Sequence, residues 1–212
     1  MSDLFSARGA IEPLAPGAAL LRGFAAPLDA ALADVVRNVS SVAPFRQMIT
    51  PGGFTMSVAM TNCGAYGWVS DERGYRYSPT DPDTGLAWPA LPPVLADLAG
   101  RAAAAAGFDG FTPDACLVNR YAPGARLTLH QDRNERDMSQ PIVSVSLGVP
   151  AVFLFGGVKR NERALRLNLT HGDVVVWGGP ARLRYHGVAA LRVAQHPFAG
   201  AERINLTLRR AR

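Results

Sequence analysis

Beyond Phe111 the chain breaks into short runs in which apolar and polar residues alternate, separated by Gly, Pro and Asp turns. The runs are 115–121, 126–130, 142–148, 151–155, 165–169, 173–177, 183–186 and 203–209. Strands at this spacing predict a sandwich or jelly roll, an architecture that encloses a small-molecule site with inward-pointing side chains. The first 110 residues have a different texture. Leu28, Leu32, Val35, Val36 and Val39 recur at helical spacing between Pro27 and Val42, predicting an amphipathic helix that ends before Pro44 and packs on a sheet. A second helix is expected from Pro93 to Ala106, with Leu95, Leu98 and a run of alanines inside and Gly107 as its stop. Residues 1–24 read as an extended arm with a short strand around Ala18–Leu21.

Between the two helices, Thr50 to Tyr77 mixes Gly, Met and aromatic residues. Thr55–Asn62 can alternate as a strand carrying Met56, Val58 and Met60 on one face, and Gly74-Tyr75-Arg76-Tyr77 reads as a hairpin arm. Met and aromatic residues are usually core. Here Gly and polar residues interrupt them, so a flap able to grip a flat base competes with that reading. A Pro- and Asp-rich loop, 78–93, follows.

Composition narrows the setting. A hydrophobic content of 48% over 212 residues supports a sizeable core. No apolar run approaches a membrane span, and the N-terminus lacks a signal peptide's basic and apolar regions, so a cytoplasmic protein without membrane attachment is expected. Cys63 and Cys116 form no CxxC and read as two buried free thiols. A net charge of +5 favours an anionic partner, though only slightly, because an arginine surplus is common in enzymes.

The chemistry centres on His130-Gln131-Asp132. Leu127 and Leu129 alternate with Thr128 and His130, so an imidazole and, two positions on, a carboxylate share one face of a strand end. That is two thirds of the 2-His-1-carboxylate triad that holds non-heme Fe(II) and leaves other positions open. Chance alone yields roughly 0.2 such pairs in a chain of this composition, so the pair needs support. His171, His186 and His196 are candidates for the third ligand. His171 belongs to a turn and His196 to a loop before Pro197, whereas His186 ends a strand beside Gly187, which makes it the preferred one. The last strand, Arg203–Arg209, carries Arg203, Asn205, Thr207 and Arg209 on one face and Ile204, Leu206 and Leu208 on the other. The polar face turns either to water or into the barrel. In the barrel, two arginines about 20 Å apart at their Cα atoms, from about 3.3 Å per residue, would meet the two ends of one dicarboxylate.

Taken together, Asn119-Arg120-Tyr121, His130-X-Asp132, His186 and Arg203-X-Asn205-X-X-X-Arg209 resemble the AlkB family of Fe(II)/2-oxoglutarate-dependent dioxygenases, specifically its bacterial nucleic-acid repair branch. The likeness also covers 40–62 and 68–88. It implies an α+β, mainly β chain: a double-stranded β-helix (jelly-roll) core over 111–212, with 1–110 supplying an N-terminal extension, supporting helices and a nucleotide-recognition lid (about 45–90), all one compact unit. It implies Fe(II), 2-oxoglutarate and O2 as cofactors. His130, Asp132 and His186 would bind iron. Arg209 would meet the cosubstrate carboxylate nearer the metal, and Arg203, Asn119 and Tyr121 the distal one, with Asn205 on the same wall.

The resemblance further implies oxidative demethylation of 1-methyladenine and 3-methylcytosine bases in nucleic acid, with release of formaldehyde. Single-stranded DNA is the expected preferred partner, ahead of double-stranded DNA or RNA, for a monomeric enzyme. Trp68 and His130 would sandwich a flipped base, with Tyr75 near its phosphate and Tyr77 and Met60 beside it. Arg160 would border the pocket, and Arg126 and Arg133 would reach phosphates. Asn134 departs from the pattern: repair enzymes of this family typically place an acidic residue there to meet the base's exocyclic amine. Asn accepts that hydrogen bond without adding charge, so preference for a cationic base should weaken. A related oxygenase acting on protein or a small molecule, and a noncatalytic nucleic-acid-binding module, are the competing readings.

Overall fold

The structure, a computed structural model, describes residues 9–212; the first eight residues of the expected arm lie outside the described residues. Strands β1 (Ile11–Ala15), β2 (Ala18–Leu21), β3 (Arg46–Ile49), β4 (Thr55–Gly64), β5 (Gly67–Asp71) and β6 (Gly74–Ser78) alternate with helices α1 (Asp29–Val42) and α2 (Pro93–Ala105). There follow β7 (Ala115–Tyr121), β8 (Leu127–His130), β9 (Ile142–Gly148), β10 (Ala151–Phe155), β11 (Leu165–Leu169), β12 (Val174–Trp177), β13 (His186–Val188) and β14 (Arg203–Arg209). A large sheet runs β1-β2-β12-β9-β14-β7-β4-β3, a smaller one β11-β10-β13-β8, and β5 and β6 form a separate hairpin. This is a double-stranded β-helix, in which the two larger sheets face one another.

Two apolar layers follow from the strand alternation. Ile204, Leu206 and Leu208 turn outward and pack with Leu32, Val35 and Val39 of α1 and Leu95, Leu98 and Ala102 of α2. Between the sheets, Leu20, Leu117 and Val175 meet Phe153, Phe155 and Trp177. Every residue of β14 is buried, which decides the open question about its polar face: Arg203, Asn205, Thr207 and Arg209 point between the sheets, not into water. Helix α2 begins with Pro93 in its first turn, where proline needs no hydrogen bond, and Gly107 (φ +87°) follows its end in the left-handed region that side chains avoid.

The hairpin sits on a close contact. A Cβ on Gly67 would lie 2.3 Å from the ring of Trp88, whose Nε1 donates to Ser78 O at 3.0 Å. Only glycine lets the strand lie directly on that indole.

Three details differ from the alternation. Residues 183–185 are not a strand, and His186 opens β13 instead of closing one. Hydrogen bonds shape that stretch. Gly179–Ala181 forms a 3-10 turn, Arg184 Nε donates to Gly156 O at 2.6 Å, and Arg182 reaches two distant carbonyls. Short strands β1 and β3 were not separable from arm and flap. With β2 and β4 they join the large sheet, so residues before 110 supply part of the barrel wall itself.

The turn before β12 is locked by Asp173, 1% exposed. Its carboxylate accepts from Gly23 N (2.9 Å), Arg22 Nη1 (2.9 Å), Thr170 N (2.9 Å) and Thr170 Oγ1 (3.1 Å). Asp173→Ala strips the acceptor from all four donors and leaves a guanidinium short of a partner. A loss of about 3 kcal/mol, typical of breaking a buried ion pair, is expected. At roughly 2–4 °C per kcal/mol for a domain this size, calorimetry should show Tm falling by about 6–12 °C; an unchanged Tm would contradict this.

Candidate active site

Strands β8 and β13 pair so that His130 stands opposite His186, and their rings lie 4.4 Å apart. Asp132 follows β8 by two residues. Its Oδ1 is 3.8 Å from His130 Nε2 and its Oδ2 3.7 Å from His186 Nε2, and the three ligand atoms all lie within 4.8 Å of one another. The far ring nitrogens are fixed: His130 Nδ1 is 2.8 Å from Thr128 O, and His186 Nδ1 is 3.1 Å from Arg184 O. Each Nδ1–H therefore donates to a carbonyl, leaving the Nε2 lone pair aimed at the common point, the arrangement metal-binding histidines use. Burial, with His130 and Arg209 close by, pushes the His186 pKa down to about 3 despite Asp132, so this imidazole is neutral across the neutral range. Burial would raise the Asp132 pKa, but Arg209, His186 and His130 outweigh it and hold the carboxyl well below the usual range. Two imidazoles and one carboxylate on one side of a pocket are the donor set of a non-heme Fe(II) site.

A cleft of about 810 Å³ opens from this point. Its inner wall is the polar face of β14 with its neighbours on β7 and β9. Arg203, 1% exposed, donates from Nη2 to Ser146 Oγ at 2.9 Å and lies over the Tyr121 ring at 5.0 Å. Asn119 Nδ2 donates to Asn205 Oδ1 at 3.2 Å, and Asn205 Nδ2 to Ser144 Oγ at 2.8 Å. Among the described residues, the buried side-chain N and O atoms without a partner are Asn119 Oδ1, Trp177 Nε1, and Nε and Nη1 of Arg203, and all three residues line this cleft. A buried guanidinium with two idle nitrogens is costly unless an anion meets it. A carboxylate has the matching geometry, so the residues fit the distal end of 2-oxoglutarate. Arg209 is already engaged: its Nε and Nη2 donate to Asp132 Oδ2 at 2.9 and 2.6 Å. The residue expected on the near carboxylate of the cosubstrate thus also orients the iron ligand.

The mouth of the cleft is aromatic. Trp68 and Tyr75 of the β5–β6 hairpin stack with centroids 5.6 Å apart and planes 14° from parallel. Trp68, Met60, His130, Asn134, Arg126 and Arg160 all line the cleft. Asn134 fastens the hairpin to the barrel: its Oδ1 accepts from Trp68 Nε1 at 3.2 Å, and its Nδ2 donates to Tyr75 O at 3.5 Å. Arg133 lies outside the cleft, donating to Gln131 Oε1 at 3.2 Å. Tyr77, expected with Tyr75 on the substrate side, is instead buried behind the wall, donating to Glu135 Oε1 at 2.6 Å. The hairpin face that carries both tyrosines descends from the cleft rim into the core, so alternation places them alike while depth separates them. His171 and His196, the other ligand candidates, stack on each other at 4.5 Å, and His171 Nε2 lies 2.8 Å from Asp29 Oδ1.

Two residues of this neighbourhood carried no signal in the sequence. Glu135 and Arg182 form a buried ion pair at 2.9 Å, and Arg182 also donates to Asp132 O at 2.8 Å. Neither lies in a periodic run or a spaced motif. Only burial marks them, and burial of a charge is visible only in the fold.

Comparison with known proteins bears directly on this geometry. The 2OG-Fe(II) oxygenase superfamily matches the chain over residues 17–209. The chain is 57% identical over 212 residues to the alpha-ketoglutarate-dependent dioxygenase AlkB of Salmonella typhimurium and of Escherichia coli, covering 100% of this chain and 98% of each relative. It is 48% identical over 183 residues to an AlkB homolog of Caulobacter vibrioides, covering 86% of this chain and 81% of the relative. The solved structure of OsALKBH1 superposes with a TM-score of 0.84 at 29% identity, covering 95% of this chain and 100% of that one. With an iron-binding donor set and an orphaned carboxylate-seeking arginine in one cleft, the chain belongs to the AlkB family of the 2OG-Fe(II) oxygenase superfamily, dioxygenases that use Fe(II), 2-oxoglutarate and O2.

Proposed function

We propose that this enzyme removes N-methyl groups from bases such as 1-methyladenine and 3-methylcytosine, acting on single-stranded DNA ahead of duplex DNA or RNA, as a cytoplasmic monomer. The observation that carries this reading is the stacked Trp68–Tyr75 pair at the mouth of a cleft whose floor is the His130–Asp132–His186 cluster. A flat aromatic slot over a metal site suits a planar substrate whose reacting atom projects inward. The relatives' names point the same way: mouse ALKBH1, 42% identical over 107 residues, is called a nucleic acid dioxygenase. Among the described residues no helix is long and apolar enough to cross a membrane.

The division of labour follows from the walls. His130, Asp132 and His186 would hold the iron, and Arg203 with Asn119 and Tyr121 would hold the distal carboxylate of 2-oxoglutarate. Bound together, iron and cosubstrate supply the oxidising power that hydroxylates the N-methyl carbon with O2, so that it departs as formaldehyde. Everything else is positioning by the protein. Arg209 keeps Asp132 ionised and turned toward the two histidines. Trp68 and His130 grip the base face to face, and a base cannot reach that slot while stacked in a duplex, which is why a single strand is the easier substrate. Arg126 and Arg160, exposed at the rim, attract the phosphate backbone. Residues before 110 act as wall, support and lid, and 111–212 as the catalytic barrel.

With iron, 2-oxoglutarate and methylated oligonucleotides supplied, formaldehyde should appear from single-stranded 1-methyladenine and 3-methylcytosine substrates, and His130→Ala should abolish both formaldehyde and succinate. Succinate without formaldehyde on any nucleic acid would favour a protein or small-molecule substrate instead. Arg203→Gln removes the charge-assisted bonds to the distal carboxylate, worth about 1.5–3 kcal/mol each, so the KM for 2-oxoglutarate should rise roughly ten- to hundredfold. Equal KM values for variant and wild type would remove Arg203 from that role.

Asn134→Asp adds a negative charge beside the slot and keeps an acceptor for Trp68, at the loss of the long bond to Tyr75. The charge favours a cationic base only while the new carboxyl is ionised. Discrimination between cationic and neutral methylated bases should therefore increase above the carboxylate range and disappear as pH falls through it. Superimposable base ratios and pH profiles for the two proteins would show that position 134 does not set this preference.

A further inference from the structure

Asp132 is not held by a strand or helix of its own. Residues 131–141 belong to neither; Arg136 N donates to Ala211 O at 3.1 Å, and around Asp132 itself side-chain chemistry converges on one buried carboxylate. The side chain of Glu135 is 2% exposed. Its Oε2 accepts from Arg182 Nη2 at 2.9 Å, its Oε1 accepts from the Tyr77 hydroxyl at 2.6 Å, and Arg209 Nε lies 3.5 Å from that same Oε1. Arg182, 3% exposed, spreads across the loop, donating from Nη1 to Asp132 O at 2.8 Å and from Nε to Gln140 O at 3.0 Å. Arg209 in turn grips Asp132 Oδ2.

Tyr77 brings in the lid. It stands directly opposite Trp68 in the β5–β6 register, and its ring packs with Ala115 and Ala211 at the base of the hairpin. A displacement of the hairpin that moves Trp68 therefore pulls on the Tyr77–Glu135 bond, one step from the backbone of Asp132. An apolar cluster would fill this space at no desolvation cost. A buried ion pair is often no more stable than such a cluster, and its recognised use is to fix one geometry.

We infer that Glu135 is a positioning residue that joins the lid hairpin, through Tyr77, to the metal-binding carboxylate Asp132, through Arg182 and Arg209, so that seating a base under the hairpin and oxidation at the metal are linked by one buried carboxylate. The inference rests on the proposed function for its catalytic consequence. Its structural half concerns the protein without metal or substrate.

Tyr77→Phe tests both halves, since it deletes one hydroxyl and leaves the ring packing. Hydrogen–deuterium exchange on the metal-free protein should show amides of both 67–78 and 131–137 exchanging roughly tenfold faster, the loss of about one buried hydrogen bond. Faster exchange confined to 67–78, or no change, would overturn the linkage. In turnover, Tyr77→Phe should keep the KM for 2-oxoglutarate within about twofold while the succinate formed per formaldehyde rises severalfold. A purely structural role would lower both products together, and an unchanged ratio would refute the coupling. Glu135→Gln keeps the acceptor for Tyr77 but loses the charge facing Arg182, so it should disturb 131–137 more than 67–78; the reverse order would also overturn the assignment. If wild-type protein released no formaldehyde from any methylated base, the proposed function would fail, while the exchange measurements would still decide the linkage.

Discussion

A strand that buries its polar face must find counterions inside the protein, and β14 imposes that condition on everything around it. Its apolar residues are taken by the helices, so Arg203 and Arg209 have nowhere to go but between the sheets. Burial of two guanidinium groups is tolerable only with anions at hand. For Arg209 the anion is Asp132 at 2.6 Å, and the pairing in turn holds that carboxylate ionised where two histidine nitrogens already converge. For Arg203 the described residues offer a serine hydroxyl and the face of a tyrosine, but no carboxylate. The deficit at one end of the strand and the satisfied pair at the other describe a site that is complete at the metal and waiting for a ligand beyond it.

This asymmetry also explains why the large sheet carries the cosubstrate wall and the small sheet the metal. His130 and His186 come from adjacent strands β8 and β13, whose pairing sets them opposite each other. Asp132, just past β8, is the point where the small sheet touches β14. Hydrogen bonds from each Nδ1 to a backbone carbonyl fix the rings to the strands themselves, so the geometry of the cluster is inherited from β-sheet register.

Much of this was legible in the residue pattern, and the parts that were not share a cause. Alternation located β7, β9, β10, β11 and β14 with their bounds, because each has one face against the core and period 2 leaves a strong mark. The same signal failed at 183–185, where Arg182 and Arg184 bond to remote carbonyls and local pattern says nothing about such partners. His130, Asp132 and His186 were found because their chemistry is spaced in sequence. Glu135 and Arg182 were not, because a buried ion pair has no period and 47 positions separate its members. Tyr77 was misjudged for a related reason: alternation reports which side of a hairpin a residue is on, and not how deep along that side the solvent ends.

Depth, in fact, divides the hairpin into two working parts. On its cleft side, Trp68 and Tyr75 stack at the mouth, and the exposed Asn134 bonds to the Trp68 side chain and to Tyr75 O, while buried Asn62 holds the Trp68 backbone at 2.9 and 3.0 Å. Near its root, Gly67 lies on Trp88 and Tyr77 is bonded to a buried carboxylate. Exposed bonds exchange with water at little net cost, whereas a buried one must be broken without replacement. The exposed side-chain bond from Trp68 Nε1 to Asn134 should therefore yield before the buried bonds at Asn62 and Glu135, so that the indole gives way to an entering base while the connection to Asp132 persists. On that view position 134 does more than supply or withhold charge. It also bonds to both aromatic residues of the slot, through Trp68 Nε1 and through Tyr75 O.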